Sequence, residues 1–137
     1  MRSPRDYVET LAQALDGDDY ETAAAVMADE VVYTIGDRVL HGREETVASY
    51  REASAMARRL FDEVDYDHVV YPTADANTFR VGYSDILTVG GETLAHMAEQ
   101  HVTVAPRAGV AKIVNVDVPG EREKVDEFLT RHGLSRD

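Results

Sequence analysis

Gly90 and Gly91 stand between two long runs in which apolar and polar residues alternate, Thr78 to Val89 before them and Glu92 to Ala105 after. A two-glycine connection suits the mirror-image turns that join antiparallel strands, because both central residues can take positive φ. Such a turn fixes the register: Val89 opposite Glu92, then Leu87 with Leu94, Asp85 with His96, Tyr83 with Ala98, Val81 with Gln100 and Phe79 with Val102. A slip of one residue would turn this whole set to the other face, so the pairing is strongly specified. Most of the set is apolar and is expected to face inward. Asp85 and His96 then stand opposite each other, close enough to touch.

The rest of the chain surrounds this hairpin. Tyr7, Val8, Leu11, Ala14 and Leu15 recur at helical spacing, and Asp16-Gly17-Asp18-Asp19 breaks that helix. Asp18 with Glu21 three residues later reads as a capping box that opens a second helix running through Met27. Val31, Tyr33 and Ile35 alternate as a strand, Gly36-Asp37 turns the chain, and Arg38 to His41 returns. Gly42 starts a long third helix, with Glu44 and Glu45 in its first turn and Arg58 and Arg59 in its last, as the helix dipole favours. Its inner stripe is Val47, Tyr50, Ser54, Ala57 and Phe61. Strands follow at Glu63 to Tyr71, on the two sides of the hairpin, and at Val110 to Val118; Pro119 begins a closing helix that Gly133 ends. The plan is α+β, a single domain over residues 1–137 with helices covering one face of a mainly antiparallel sheet. Curvature of the sheet around the long helix is expected to leave a pocket.

Composition removes several function classes. The formal net charge of −12 argues against nucleic acid and anionic membranes, both of which need clustered Lys and Arg. No apolar run approaches the roughly 20 residues of a membrane-spanning helix. The opening residues lack the uninterrupted apolar stretch of a signal peptide, so a cytoplasmic location is expected. The absence of cysteine excludes disulfides, thiolate metal sites and cysteine nucleophiles.

The run YVETLAQALDGDDYETAAAVMADEVVYTI, followed by LHGREETVASY, resembles the opening of SnoaL-like and ketosteroid-isomerase-like members of the nuclear transport factor 2 superfamily. The ending VAKIVNVDVPGEREKVDEFLTRHGL is similar to the last strand and closing helix of bacterial members. The resemblance implies a cystatin-like cone enclosing a pocket, homodimers formed through the outer sheet face, and a small hydrophobic or polyketide-like ligand. It also locates two absences. The steroid isomerase's base falls on Ile35 and its oxyanion tyrosine near Thr10, so that reaction is not expected. Scytalone dehydratase matches better, at Asp16, His68 and His96, although its two catalytic tyrosines fall on Leu15 and Ile35.

These readings converge on a short set of residues. His96 is the candidate proton carrier, with Asp85 across the hairpin or, by resemblance, Asp16 as the carboxylate that orients it. His68 shares strand parity with Val64, Tyr66 and Val70 and so faces inward, as a polariser of a substrate oxygen or as a buried, satisfied histidine. Tyr33, Tyr50, Tyr66 and Tyr83 are candidates to line the cavity, and Gln100 to orient a ligand, since a buried amide needs partners. The facing of Asn115 is left open by the loop before the last strand. No metal site is expected: His96 and His101 lie on opposite faces of one strand, and no zinc, phosphate-loop or nucleophile-elbow motif is present. No cofactor is expected either. The function implied is a cofactor-free acid/base lyase, isomerase or cyclase, or alternatively a non-catalytic ligand-binding or dimerisation module.

Overall fold

Residues 2–136 are described by a computed structural model. The first helix, α1 (Pro4–Asp16), opens on a reciprocal cap: Ser3 Oγ accepts from the Asp6 N–H at 3.1 Å while Asp6 Oδ2 accepts from the Ser3 N–H at 3.0 Å. The second, α2 (Tyr20–Ala25), is capped by Asp19 rather than Asp18 and ends two residues short of the expected Met27. The reason is tertiary. Met27 already belongs to β1 (Met27–Ile35), where it pairs with Val110.

A tight hairpin joins β1 to β2 (Arg38–His41), and the long α3 (Gly42–Leu60) follows at once. Then come β3 (Glu63–Pro72), β4 (Thr78–Val89), β5 (Glu92–Ala105), β6 (Gly109–Val116) and the closing α4 (Glu121–Arg131). The last strand stops at Val116 and the last helix starts at Glu121, because Gly120 turns the chain in the left-handed region between them.

The β4–β5 hairpin holds the register that the two glycines imply, Asp85 opposite His96 included. All six strands form one sheet in the order β2-β1-β6-β5-β4-β3. Every pairing is antiparallel except β1 with β6, which is parallel and joins the first and last thirds of the chain. That pairing makes the sheet mixed. Gly109 opens β6, and its φ of +114° and close approach to Val26 leave no room for a side chain.

Two apolar clusters fill the space between helices and sheet. One gathers Val8, Leu11, Val31, Val81, Val102 and Ile113 under α1 and α3. The other gathers Phe61, Val64, Leu87, Val125, Phe128 and Leu129 under α4. On the outer sheet face Met97, Val69 and Tyr71 are exposed, whereas Ile86 is half-buried. Among the described residues no helix is long and apolar enough to cross a membrane.

Candidate functional site

A cavity of about 240 Å³ lies between the helices and the inner face of the sheet. The end of α1 and the turn after it supply Leu15, Asp16 and Asp18; α2 supplies Tyr20; α3 supplies Tyr50, Ala53, Ser54 and Ala57. From the sheet come Tyr33, Tyr66, Tyr83, Asp85, Ala98, Gln100 and Asn115. Strand alternation explains this set, since Tyr66 pairs with Asp85, Tyr83 with Ala98 and Gln100 with Asn115 across neighbouring strands.

Asp16, on this wall, makes a short contact with His68, which lies behind it. His68 Nδ1 lies 2.5 Å from Asp16 Oδ2, and its Nε2 lies 3.4 Å from Glu9 Oε2. Glu9 and Asp16 are seven residues apart on α1, two turns along one face, so a single helix clamps both ring nitrogens. The other oxygen, Asp16 Oδ1, is buried without a hydrogen-bond partner. Burial raises the Asp16 carboxyl above its ordinary value; His68 works against that, and the charges of Asp67 and Asp85 add to it. For His68 burial opposes the charged ring, but the hydrogen bond and charge of Asp16, then Glu9, outweigh it and hold the imidazole above 6.5.

A second knot surrounds Asp18, which sits at φ +53°, a left-handed position that Asp tolerates. Its Oδ1 accepts from Tyr20 at 2.9 Å and from Ser54 at 2.8 Å, and its Oδ2 accepts from Arg58 Nε at 2.7 Å. Tyr66 completes the chain, its hydroxyl 3.0 Å from Ser54 Oγ. Burial alone would raise the Asp18 carboxyl, yet these three donors together hold it below its ordinary value. At the far end Gln100 accepts from Tyr50 and donates to Tyr33, both at 2.9 Å, and the two rings stack at 5.0 Å. Tyr83, by contrast, has a buried hydroxyl with no partner, and burial pushes its pKa far up, so the phenol keeps its proton.

A family profile described as a SnoaL-like domain matches residues 5–117. The chain belongs to the SnoaL-like family. Solved structures with the same fold include a candidate polyketide cyclase from Pseudomonas putida KT2440, at 15% identity and TM-score 0.66 over 89% of this chain and 96% of that one. An LEH-like epoxide hydrolase of Mycobacterium tuberculosis matches at 19% identity and TM-score 0.65, over 95% and 94%. Rv0760c of the same organism, solved with estradiol-17β-hemisuccinate, matches at 15% and 0.66, over 88% and 98%. At identities this low the likeness shows the fold alone, the nuclear-transport-factor-2-like one. No curated protein sequence matches the chain.

Within this SnoaL-like frame the expected residues separate into two groups. Asp16, Asp85, Tyr33, Tyr50, Tyr66, Tyr83 and Gln100 all line the cavity, and Asn115, unplaced from the sequence, joins them. Asp16 is bonded to His68 and not to His96; His96 Nδ1 instead lies 3.2 Å from Asp85 Oδ2. His96 is not on the cavity wall but lines an adjoining depression beside Met97 and Val116, which shares Ala98 and Asn115 with the cavity. Asp18, Tyr20 and Ser54 were not foreseen. A serine on the apolar stripe of α3 was the available signal for Ser54; Asp18 gave none, because a cap is the ordinary role of an aspartate before a helix.

Ligand-type oxygens of Asp16 and Asp67 and a ring nitrogen of His68 lie within 4.8 Å of one another, a grouping able to hold a cation. As arranged, His68 Nδ1 is engaged by Asp16, and Asp67 Oδ1 accepts from the His68 backbone N–H at 2.9 Å. A metal would have to displace the first of these bonds.

The two raised pKa values have one sign. The folded chain holds these protons more tightly than the unfolded one, so stability falls as pH rises, from 3.8 upward through Asp16 and from 6.5 upward through His68. Asp18 acts oppositely: its contribution is present above 3.8 and is lost as pH falls through its lowered value. Proton NMR should find the His68 ring titrating above 6.5 in the native chain and at a lower pH in Asp16→Asn. An unchanged midpoint in that variant would contradict the pairing.

Proposed function

We propose that this chain binds a small molecule in the cavity and moves a proton on it without a cofactor, as an isomerase, dehydratase or cyclase. One observation carries the reading: two buried oxygens without protein partners, Asp16 Oδ1 and Tyr83 Oη, share one cavity wall. A buried polar atom left unsatisfied is costly unless a ligand or water completes it. Their chemistry is complementary. Asp16 Oδ1 is an acceptor with a raised pKa, suited to take and return a proton. Tyr83 is a neutral donor, suited to a ligand oxygen on which negative charge develops. His68, clamped by Asp16 and Glu9, fixes the carboxylate, while Gln100 with Tyr33 and Tyr50 shapes the far end. The proton-carrying role considered for His96 is assigned here to Asp16, which lines the cavity where His96 and His68 do not, with His68 as its positioning partner.

The test follows solvent deuterium entering a panel of small cyclic ketones and hydroxy-ketones in D₂O. Exchange at the carbon beside the carbonyl is expected with the native chain, and Asp16→Asn should slow it by about 10² to 10⁴-fold with binding retained. Binding without exchange in the native chain would leave a non-catalytic ligand carrier. Undiminished exchange in Asp16→Asn would remove Asp16 from the mechanism.

The proposed assembly is a homodimer through the outer sheet face, where Val69, Tyr71 and Met97 are exposed. Light scattering should give the mass of two chains, reduced to one by Met97→Glu; a native monomer would discard the assembly.

A further inference from the structure

The charge on the cavity wall is of one sign. Its charged lining residues among those described are Asp16, Asp18 and Asp85, and none is Lys, Arg or His. The basic groups nearby are bonded to these carboxylates without lining the cavity themselves: His68 to Asp16, Arg58 to Asp18 and His96 to Asp85. A ligand therefore meets the acid of each pair and not the base. Asp18 spends both oxygens on protein donors. Asp85 does not, since its bond to His96 uses Oδ2 alone.

The rest of the wall suits a cation as well. Tyr66 stands directly across the strand pair from Asp85, and Tyr83 lies two residues along on the same face. Aromatic faces attract cations through their quadrupoles. The chain already uses two rings of this cavity in that way, with Arg51 5.1 Å above Tyr20 and Arg58 5.4 Å above Tyr66. An anionic ligand would instead place its charge among partly desolvated carboxylates, which disfavours it. The cavity volume of about 240 Å³ corresponds to about eight waters at their liquid volume, room for one substituted ring.

We propose that the cavity takes a small organic cation, an ammonium group on a single ring or short apolar chain, with its charge seated at Asp85 beside Tyr66 and Tyr83. This rests on the reading that the cavity is a ligand site, and not on the proton transfer at Asp16. Seating the charge at Asp85 leaves Asp16 Oδ1 free. It also sets a positive charge on the cavity side of Asp85, whose basic partner His96 lies off the cavity wall.

Three probes of one shape test it: benzylamine, benzyl alcohol and benzoate, each titrated against the native chain by NMR at about 0.3 M salt, where attraction to the acidic surface is screened. Benzylamine should shift the signals of the cavity tyrosines and bind about tenfold more tightly than the alcohol, with benzoate weakest. Asp85→Asn should bring amine and alcohol to equal affinity. Equal or tighter binding of alcohol or benzoate by the native chain would overturn the cation assignment and leave the ligand site standing. An amine preference that survives in Asp85→Asn would overturn the seat at Asp85. If no probe shifts a cavity tyrosine, the ligand site itself fails, and this inference with it.

Discussion

Replacing Gly109 by alanine is expected to destabilise the fold by about 3 to 5 kcal/mol, read as a lowered urea midpoint. Two costs add at that position. The backbone sits at φ +114°, outside the region an L-residue adopts without strain. A Cβ there would also lie 2.5 Å from the Val26 carbonyl oxygen and 3.2 Å from the Ala28 nitrogen, both backbone atoms with little freedom to retreat. The neighbouring hydrogen bond from Val110 N–H to Val26 C=O, at 2.8 Å, begins the pairing of β6 with β1. Gly36→Ala is the control. Its φ is +61° and a Cβ there meets nothing within 4 Å, so only the left-handed cost of about 1 to 2 kcal/mol applies. Equal losses at the two positions would mean that the close approach to Val26 contributes nothing.

Phe128→Ala should lose about 3 to 5 kcal/mol, through lost burial and the cavity left behind. The side chain is 1% exposed and is among the largest fully buried groups of the protein. It packs against Phe61 with ring centres 6.2 Å apart and against the His132 ring at 4.7 Å, tying α4 to the end of α3. Leu87 and Val64 complete its surroundings from β4 and β3. None of the buried residues of this cluster lines the cavity under α3; only Ala57 and Tyr66, packed against its edge, do. The variant should therefore melt early yet, while still folded, bind small molecules in the cavity as the native chain does. Thermal unfolding and ligand titration on the same sample separate the two effects. A loss below about 1 kcal/mol would mean that α4 is not anchored by this ring.

The hairpin was legible because its information is local. Two glycines set the turn, alternation set the faces, and Asp85 opposite His96 followed from counting. The same logic placed Tyr66, Tyr83 and Gln100 on the inner face. What could not be read depends on distant partners. Met27 has helical spacing with Ala23 and becomes a strand residue only because Val110 pairs with it. Asp16 and His68 were each singled out, but their contact depends on how α1 packs across β3, which no spacing along the chain encodes. Asp18 looks like a helix cap until its positive φ turns the carboxylate toward Ser54 and Arg58, and Asp19 takes over the cap.

The parallel pairing of β1 with β6 has a consequence in time as well as in space. Val32 stands beside Lys112 and Tyr33 beside Ile113, so the chain must close a loop of about eighty residues before these strands meet. The β3–β4 and β4–β5 hairpins need no such closure and can form from neighbouring residues. Tyr33 and Asn115 lie on opposite sides of that late seam, and Gln100 reaches across it to Tyr33. A nascent chain emerging from the ribosome would thus carry its pocket in two unjoined pieces, and the competence to hold a ligand would arrive only with the last strand.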